Sequence, residues 1–176
     1  MAAFKHLREL LMNLKSTPVR LGLVAVVSAV ALAGWLAWSE DTVRPAGLVI
    51  NPADMTLVAE GKRIYVKTCA SCHGADLKGQ PDWRTRGPDG LLPAPPHDET
   101  GHTWHHGDGQ LFVLMREGIA ALAPPGYRTS MPPYKRVLSD REIVAVLAYI
   151  KSTWPEQIRR RQAEITRRVN AEPSGS

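Results

Sequence analysis

Cys69-Ala70-Ser71-Cys72-His73 sets two thiols three positions apart and puts an imidazole directly after the second. Thiols at that spacing can bond to two neighbouring edges of one flat ring system, and the adjacent imidazole can reach a metal at the ring's centre from the same face. The pattern is C-x-x-C-H, the attachment signature of c-type haem. Two other chemistries use the same residue types. A redox C-x-x-C follows a strand in a βαβ pattern, and no segment of this chain sustains the period-two alternation of a strand. A zinc site would combine Cys69 and Cys72 with His102 and His106, but 29 residues separate the two pairs and His73 would have no role. Only two cysteines are present, which excludes a four-cysteine zinc or iron–sulfur site and a disulfide-dense scaffold.

An iron held by His73 has a second axial position, and Met131 is the residue to fill it. It stands in Thr129-Ser130-Met131-Pro132-Pro133-Tyr134, 58 residues beyond His73, in a proline-stiffened loop. Such a loop can hold a weak thioether donor at bonding distance, and the soft sulfur favours ferrous iron and raises the potential. Met115 falls on the apolar face of a helix, Met55 near a helix start, and Met1 and Met12 precede a long apolar run. The competing ligands are His97, His102, His105 and His106, which would make a bis-histidine centre of lower potential. Their ordinary role is hydrogen bonding around the ring's edge; the alternative is a second metal such as copper in His102-Thr103-Trp104-His105-His106.

These residues must be positioned by helices and long loops. Asp54 can cap a helix reaching Thr68, with Leu57, Val58, Gly61, Ile64 and Tyr65 on one side. Residues 74–107 recur in Gly and Pro and read as loop. A short helix over 108–118 follows, then a Pro-rich loop over 121–137. Ser139-Asp140-Arg141-Glu142 is a capping box that opens a helix running to Trp154, with Ile143, Val146, Leu147 and Ile150 as its apolar stripe. Pro155 interrupts it, and a further polar helix can run towards Asn170. The expected class is all-α, with a core too thin for so loop-rich a domain unless something else fills its centre.

Residues 21–38, opening at Leu21 and closing on Trp35 and Trp38, hold no charge. As a helix they would span about 27 Å, close to a hydrocarbon thickness of roughly 30 Å. Residues 1–20 carry a net charge of +3, and Glu40 and Asp41 follow the run. That bias puts 1–20 in the cytoplasm and everything after Trp38 outside. The run reads as a transmembrane anchor; cleavage after Ala33 as a signal peptide is the rival, and either exports the remainder. Residues 39–53 read as a tether, 54–154 as the domain and 155–176 as a polar helical or disordered tail. The tail carries five arginines and three apolar positions, Ile158, Ile165 and Val169. It reads as a solvated extension, with a docking or lipid-surface helix as the other possibility.

The overall charge is +5, but residues 55–155 hold 12 basic against 10 acidic side chains, so no phosphate-binding stripe exists and nucleic acid is not an expected partner. Lys62, Arg63, Lys67, Lys78, Arg84 and Arg86 surround the thiol motif. They either steer an acidic docking face or are simply solvated.

Residues 54–154 resemble the class I cytochrome c family. Beside Cys69, Cys72, His73 and Met131, the chain has the family's helix contact: Gly61 and Tyr65 on the first helix, and Val146 and Tyr149 on the last. Val146 departs mildly from the family's usual Leu. The segment 80–107 looks like that of a bacterial, membrane-anchored subgroup. The resemblance implies one covalent haem c and a proline carbonyl on the other nitrogen of His73, from Pro88, Pro93, Pro95 or Pro96. It also implies a one-electron carrier rather than an enzyme, working between membrane-bound redox complexes at the outer face of a bacterial inner membrane. The alternatives are a haem subunit of an oxidase or reductase, or a haem enzyme with an open iron position.

Overall fold

A computed structural model describes residues 47–171. The expected cytoplasmic segment 1–20, the apolar run 21–38 and tether residues 39–46 lie outside the described residues. Among the described residues five α-helices follow one another: α1 (Met55–Thr68), α2 (Ala70–His73), α3 (Asp108–Glu117), α4 (Asp140–Thr153) and α5 (Glu156–Ala171). Single 3₁₀ turns form at Thr103–His105 and Ile119–Ala121. Among the described residues there is no strand, and no helix is long and apolar enough to cross a membrane.

Helix α1 starts where the sequence supplies a cap. The Asp54 carboxylate accepts from the backbone N–H of Thr56 at 3.1 Å and of Leu57 at 3.0 Å, satisfying two of the donors a helix start leaves free. Ser139 and Glu142 close the capping box of α4 reciprocally. Helix α4 is the central element. Ile143, Val146, Leu147 and Ile150 are all buried, and so are Ala145, Ala148 and Tyr149.

Helices α1 and α4 cross at Gly61. A Cβ there would sit 1.9 Å from the Ala145 carbonyl oxygen, so only glycine allows this approach. One turn on, the Tyr65 and Tyr149 rings pack at 5.3 Å, tilted by 58°. The Tyr65 hydroxyl donates to the Gly74 carbonyl at 2.9 Å, which ties the chain just past the thiol motif to α1.

The long loop after α2 is held by hydrogen bonds rather than by regular structure. Gln80 N–H donates to the Ala94 carbonyl at 2.9 Å, and His97 N–H donates to the Leu77 carbonyl at 2.7 Å. The Trp154 indole N–H donates to the His97 carbonyl at 2.7 Å. The 131–137 loop is tied to the end of α3 by Tyr134 N–H to the Met115 carbonyl at 2.9 Å and Lys135 N–H to the Arg116 carbonyl at 3.0 Å.

Helix α5 is docked, not solvated on all sides as a free extension would be. Gln162 is fully buried and Thr166 nearly so, beside Asp108 and Lys151. The Lys151 ammonium donates to both Asp108 oxygens at 2.7 and 2.8 Å and to the Ile50 carbonyl at 2.9 Å. Asp108 also accepts from Ile50 N–H at 2.7 Å and from the Gln162 amide at 2.8 Å. The expected tether therefore ends early: Ile50 is buried, and Asn170 near the end of α5 donates to the Leu48 carbonyl at 3.2 Å.

Candidate cofactor site

One cavity of about 380 Å³ opens inside the domain, and Cys69, Cys72, His73 and Met131 all line it. Its apolar walls include Leu111, Leu114 and Met115 from α3 and Val146, Leu147 and Ile150 from α4. The space is shaped for a large apolar guest, with two thiols and an imidazole on its wall. The residues present fit a haem.

Helix α2 is a single turn, and it presents the motif. Cys69 is buried and Cys72 is exposed at the rim. Burial, aided by the neighbouring Cys72, pushes the Cys69 thiol up to about 11. His73 is buried, and burial holds its imidazole below the ordinary histidine range, opposed by a bond to Pro95. That bond runs from His73 Nδ1–H to the Pro95 carbonyl at 2.8 Å. Of the four prolines left open by the sequence, the structure selects Pro95. The bond commits Nδ1 as donor and leaves Nε2 as the nitrogen with a free lone pair.

Met131 is half-buried in its loop, its N–H donating to the Thr129 hydroxyl at 3.1 Å. Met115 packs in the core, as its helical position implied.

Of the four other histidines considered, His97, His102 and His106 line the cavity and His105 does not. His97 stacks on the face of His73, with ring centroids 4.0 Å apart and planes 24° apart. Two imidazoles lying face to face are side by side on one wall and cannot clamp an iron from opposite sides, so His97 is not the partner ligand of a bis-histidine centre. Burial, with His73 and His102 adding to it, holds His97 well below the ordinary range.

His102 stacks on Trp83 at 5.6 Å and meets His106 edge-on at 5.7 Å. The exposed His105 stacks on Trp104 at 3.7 Å. Among the described residues, no three histidines, cysteines or acidic side chains come together as a metal site. The grouping of Cys69, Cys72, His102 and His106 for zinc, and a multi-ligand copper site in 102–106, are therefore not assembled.

The basic residues around the motif are all exposed, but two are engaged. The Arg84 guanidinium lies 4.0 Å over Trp83, and that of Arg86 lies 5.8 Å from the Tyr127 ring centroid. The Arg86 guanidinium also donates to the Gly90 carbonyl at 2.7 Å.

Sequence reasoning missed the stack of His97 on His73 and the buried Asp108–Lys151 pair. A lysine among apolar residues at the end of α4 was the only available signal for the pair, and nothing in the sequence marked the stack.

The family model for cytochrome c matches residues 58–154, over half of the chain. Among curated proteins, the chain is 31% identical over 101 residues to a cbb3-type cytochrome c oxidase subunit FixP from Sinorhizobium medicae; the match covers 57% of this chain and 29% of that protein. It is 38% identical over 61 residues to a cytochrome bc1 complex cytochrome c subunit from Mycobacterium tuberculosis, covering 35% of this chain and 21% of that protein. The chain thus spans less than a third of the length of these relatives. No solved structure gives a significant match.

Proposed function

This chain belongs to the cytochrome c family, whose members carry covalently attached haem c, and on that premise we propose that it is a membrane-anchored carrier of single electrons. Bound haem supplies an iron that gains and loses one electron. The chain's residues would hold it: the Cys69 and Cys72 thiols would carry the two thioether links, and His73 would bind the iron through Nε2, because Nδ1 is committed to Pro95. Met131, in a loop fastened to α3, would offer its thioether to the iron. With His73 and Met131 both engaged, the iron would offer no place for a substrate, and the chemistry it supplies would be electron transfer rather than turnover. The apolar walls keep water from the ring and favour the less charged ferrous state.

The observation that carries this reading is the gathering of both thiols, the imidazole and the thioether around one apolar cavity. The experiment is an optical spectrum of the full chain, purified from a host that matures c-type haem. The oxidised protein is expected to show a thioether-to-iron band that vanishes in Met131→Ala, and the ferrous protein is expected to be inert to carbon monoxide. Avid binding of carbon monoxide by the unaltered protein overturns the six-coordinate carrier and points to an enzyme with an open iron.

Residues 21–38 would hold the carrier in a bacterial inner membrane, N-terminus in the cytoplasm and haem domain outside. Its donors and acceptors would then be membrane-bound redox complexes. The relatives' names, an oxidase subunit and a bc1-complex subunit, favour such partners. They also favour a second reading, in which this chain is itself a stable subunit of a complex. Native electrophoresis after mild detergent extraction separates the two: a band at the size of the chain alone supports the carrier, and a haem-stained band at the size of a large complex supports the subunit.

A further inference from the structure

We propose that His97 is a positioning residue for the iron-binding imidazole: its ring, stacked on His73, fixes the plane of that ligand over the macrocycle. The proposal rests on His73 being an iron ligand. The bond from His73 Nδ1–H to Pro95 decides which nitrogen faces the iron, but a hydrogen bond tolerates rotation about its own N–H···O line. A flat group pressed on the ring's face does not, because rotation drives one edge of His73 into it. His97 lies 4.0 Å away with its plane 24° from parallel, so it supplies the restraint that the hydrogen bond lacks.

His97 can do this because it is itself held from several sides. Its N–H donates to the Leu77 carbonyl at 2.7 Å, and its carbonyl accepts the Trp154 indole N–H at 2.7 Å. Its Nδ1 pairs with the hydroxyl of the buried Thr103 at 2.9 Å. The Tyr65 ring stands edge-on at 6.2 Å. Pro95 and His97 are two residues apart, so one short segment delivers a carbonyl to the edge of His73 and a ring to its face. An aliphatic side chain at 97 would fill the space, but it would present no plane and could not be oriented by Thr103. In the oxidised protein the ligand plane sets how unpaired spin spreads over the ring, so fixing the plane fixes which edge couples to a partner.

The test uses the full-length holoprotein. The pattern of hyperfine-shifted haem methyl resonances in the oxidised state reads the ligand plane directly. His97→Ala is expected to reorder or compress that pattern, and His97→Phe, which restores a flat ring, is expected to return it towards that of the unaltered protein. Thr103→Val keeps the imidazole but releases its orientation, and is expected to shift the pattern in the same direction as His97→Ala by a smaller amount. Should His97→Ala fail to load haem, Thr103→Val and His97→Phe carry the test. An unchanged pattern in both His97→Ala and Thr103→Val, or a His97→Phe pattern as displaced as that of His97→Ala, overturns the proposal. Those results leave covalent haem intact; a native mass without an added tetrapyrrole would instead remove the reading on which the proposal rests.

Discussion

Helix α4 faces two regions that solve burial in opposite ways. Val146, Leu147 and Ile150 border the cavity, while Lys151, the next residue, reaches into a solid polar knot with Asp108, Ile50 and Gln162. The cavity wall is largely apolar and carries the thiols and the imidazole that would hold a guest. The knot brings its own partners, and among the described residues its only buried side-chain polar atom without a hydrogen bond is Gln162 Oε1. Burial lowers the Lys151 ammonium from its usual range, with Asp108 opposing it. The contrast separates two sources of order: one side of the domain depends on a guest, and the other clasps α5 and the end of the tether onto the core.

The sharpest way to break this contrast is to withhold the guest. The double variant Cys69→Ser, Cys72→Ser is expected to lose the cooperative thermal transition and the near-ultraviolet dichroism of the holoprotein, since the apolar walls around the cavity would lose their covalently held partner. A sharp calorimetric transition in that variant would mean that the polar knot and α4 suffice. Next in size, Asp108→Ala strands the Lys151 charge and is expected to cost about 3–5 kcal/mol. Guanidinium denaturation of the holoprotein measures this, and the haem absorbance without denaturant stays as it was. A change in that absorbance would show that the two regions are coupled through α4.

Gly61→Ala forces α1 from α4 and is expected to cost about 1–3 kcal/mol, read in the same denaturation. Stability unchanged to within a few tenths of a kcal/mol would mean that the crossing is looser than the 1.9 Å approach implies. The smallest effect is expected from Ser139→Ala at the start of α4, about 1 kcal/mol. It touches neither region, and a larger loss would show that the cap also sets the register of α4 between them.

Local chemistry made much of this molecule legible before its fold was known. The caps at Asp54 and Ser139 and the glycine-rich and proline-rich loops act over a few residues, so they could be read in order along the chain. The thiol motif was readable for the same reason, because five consecutive residues carry all of its chemistry. The helix over 108–118, stopped at Gly118, and the helix beyond Pro155 follow from local start and stop signals. The docking of that last helix did not, because its polar composition conceals two side chains, Gln162 and Thr166, that are buried only when Asp108 stands opposite them.

The amino-acid sequence alone determined which atoms can bind a haem, where helices begin, and that the core would be thin without a guest. Only the tertiary structure decided that the Pro95 carbonyl, among those of four prolines, accepts the hydrogen bond from His73 Nδ1–H. It also decided that His97 lies against His73 rather than across the cavity from it. Those outcomes depend on pairs 22 and 24 residues apart brought together by a loop without regular structure, and nothing periodic or local in the chain encodes where such a loop closes.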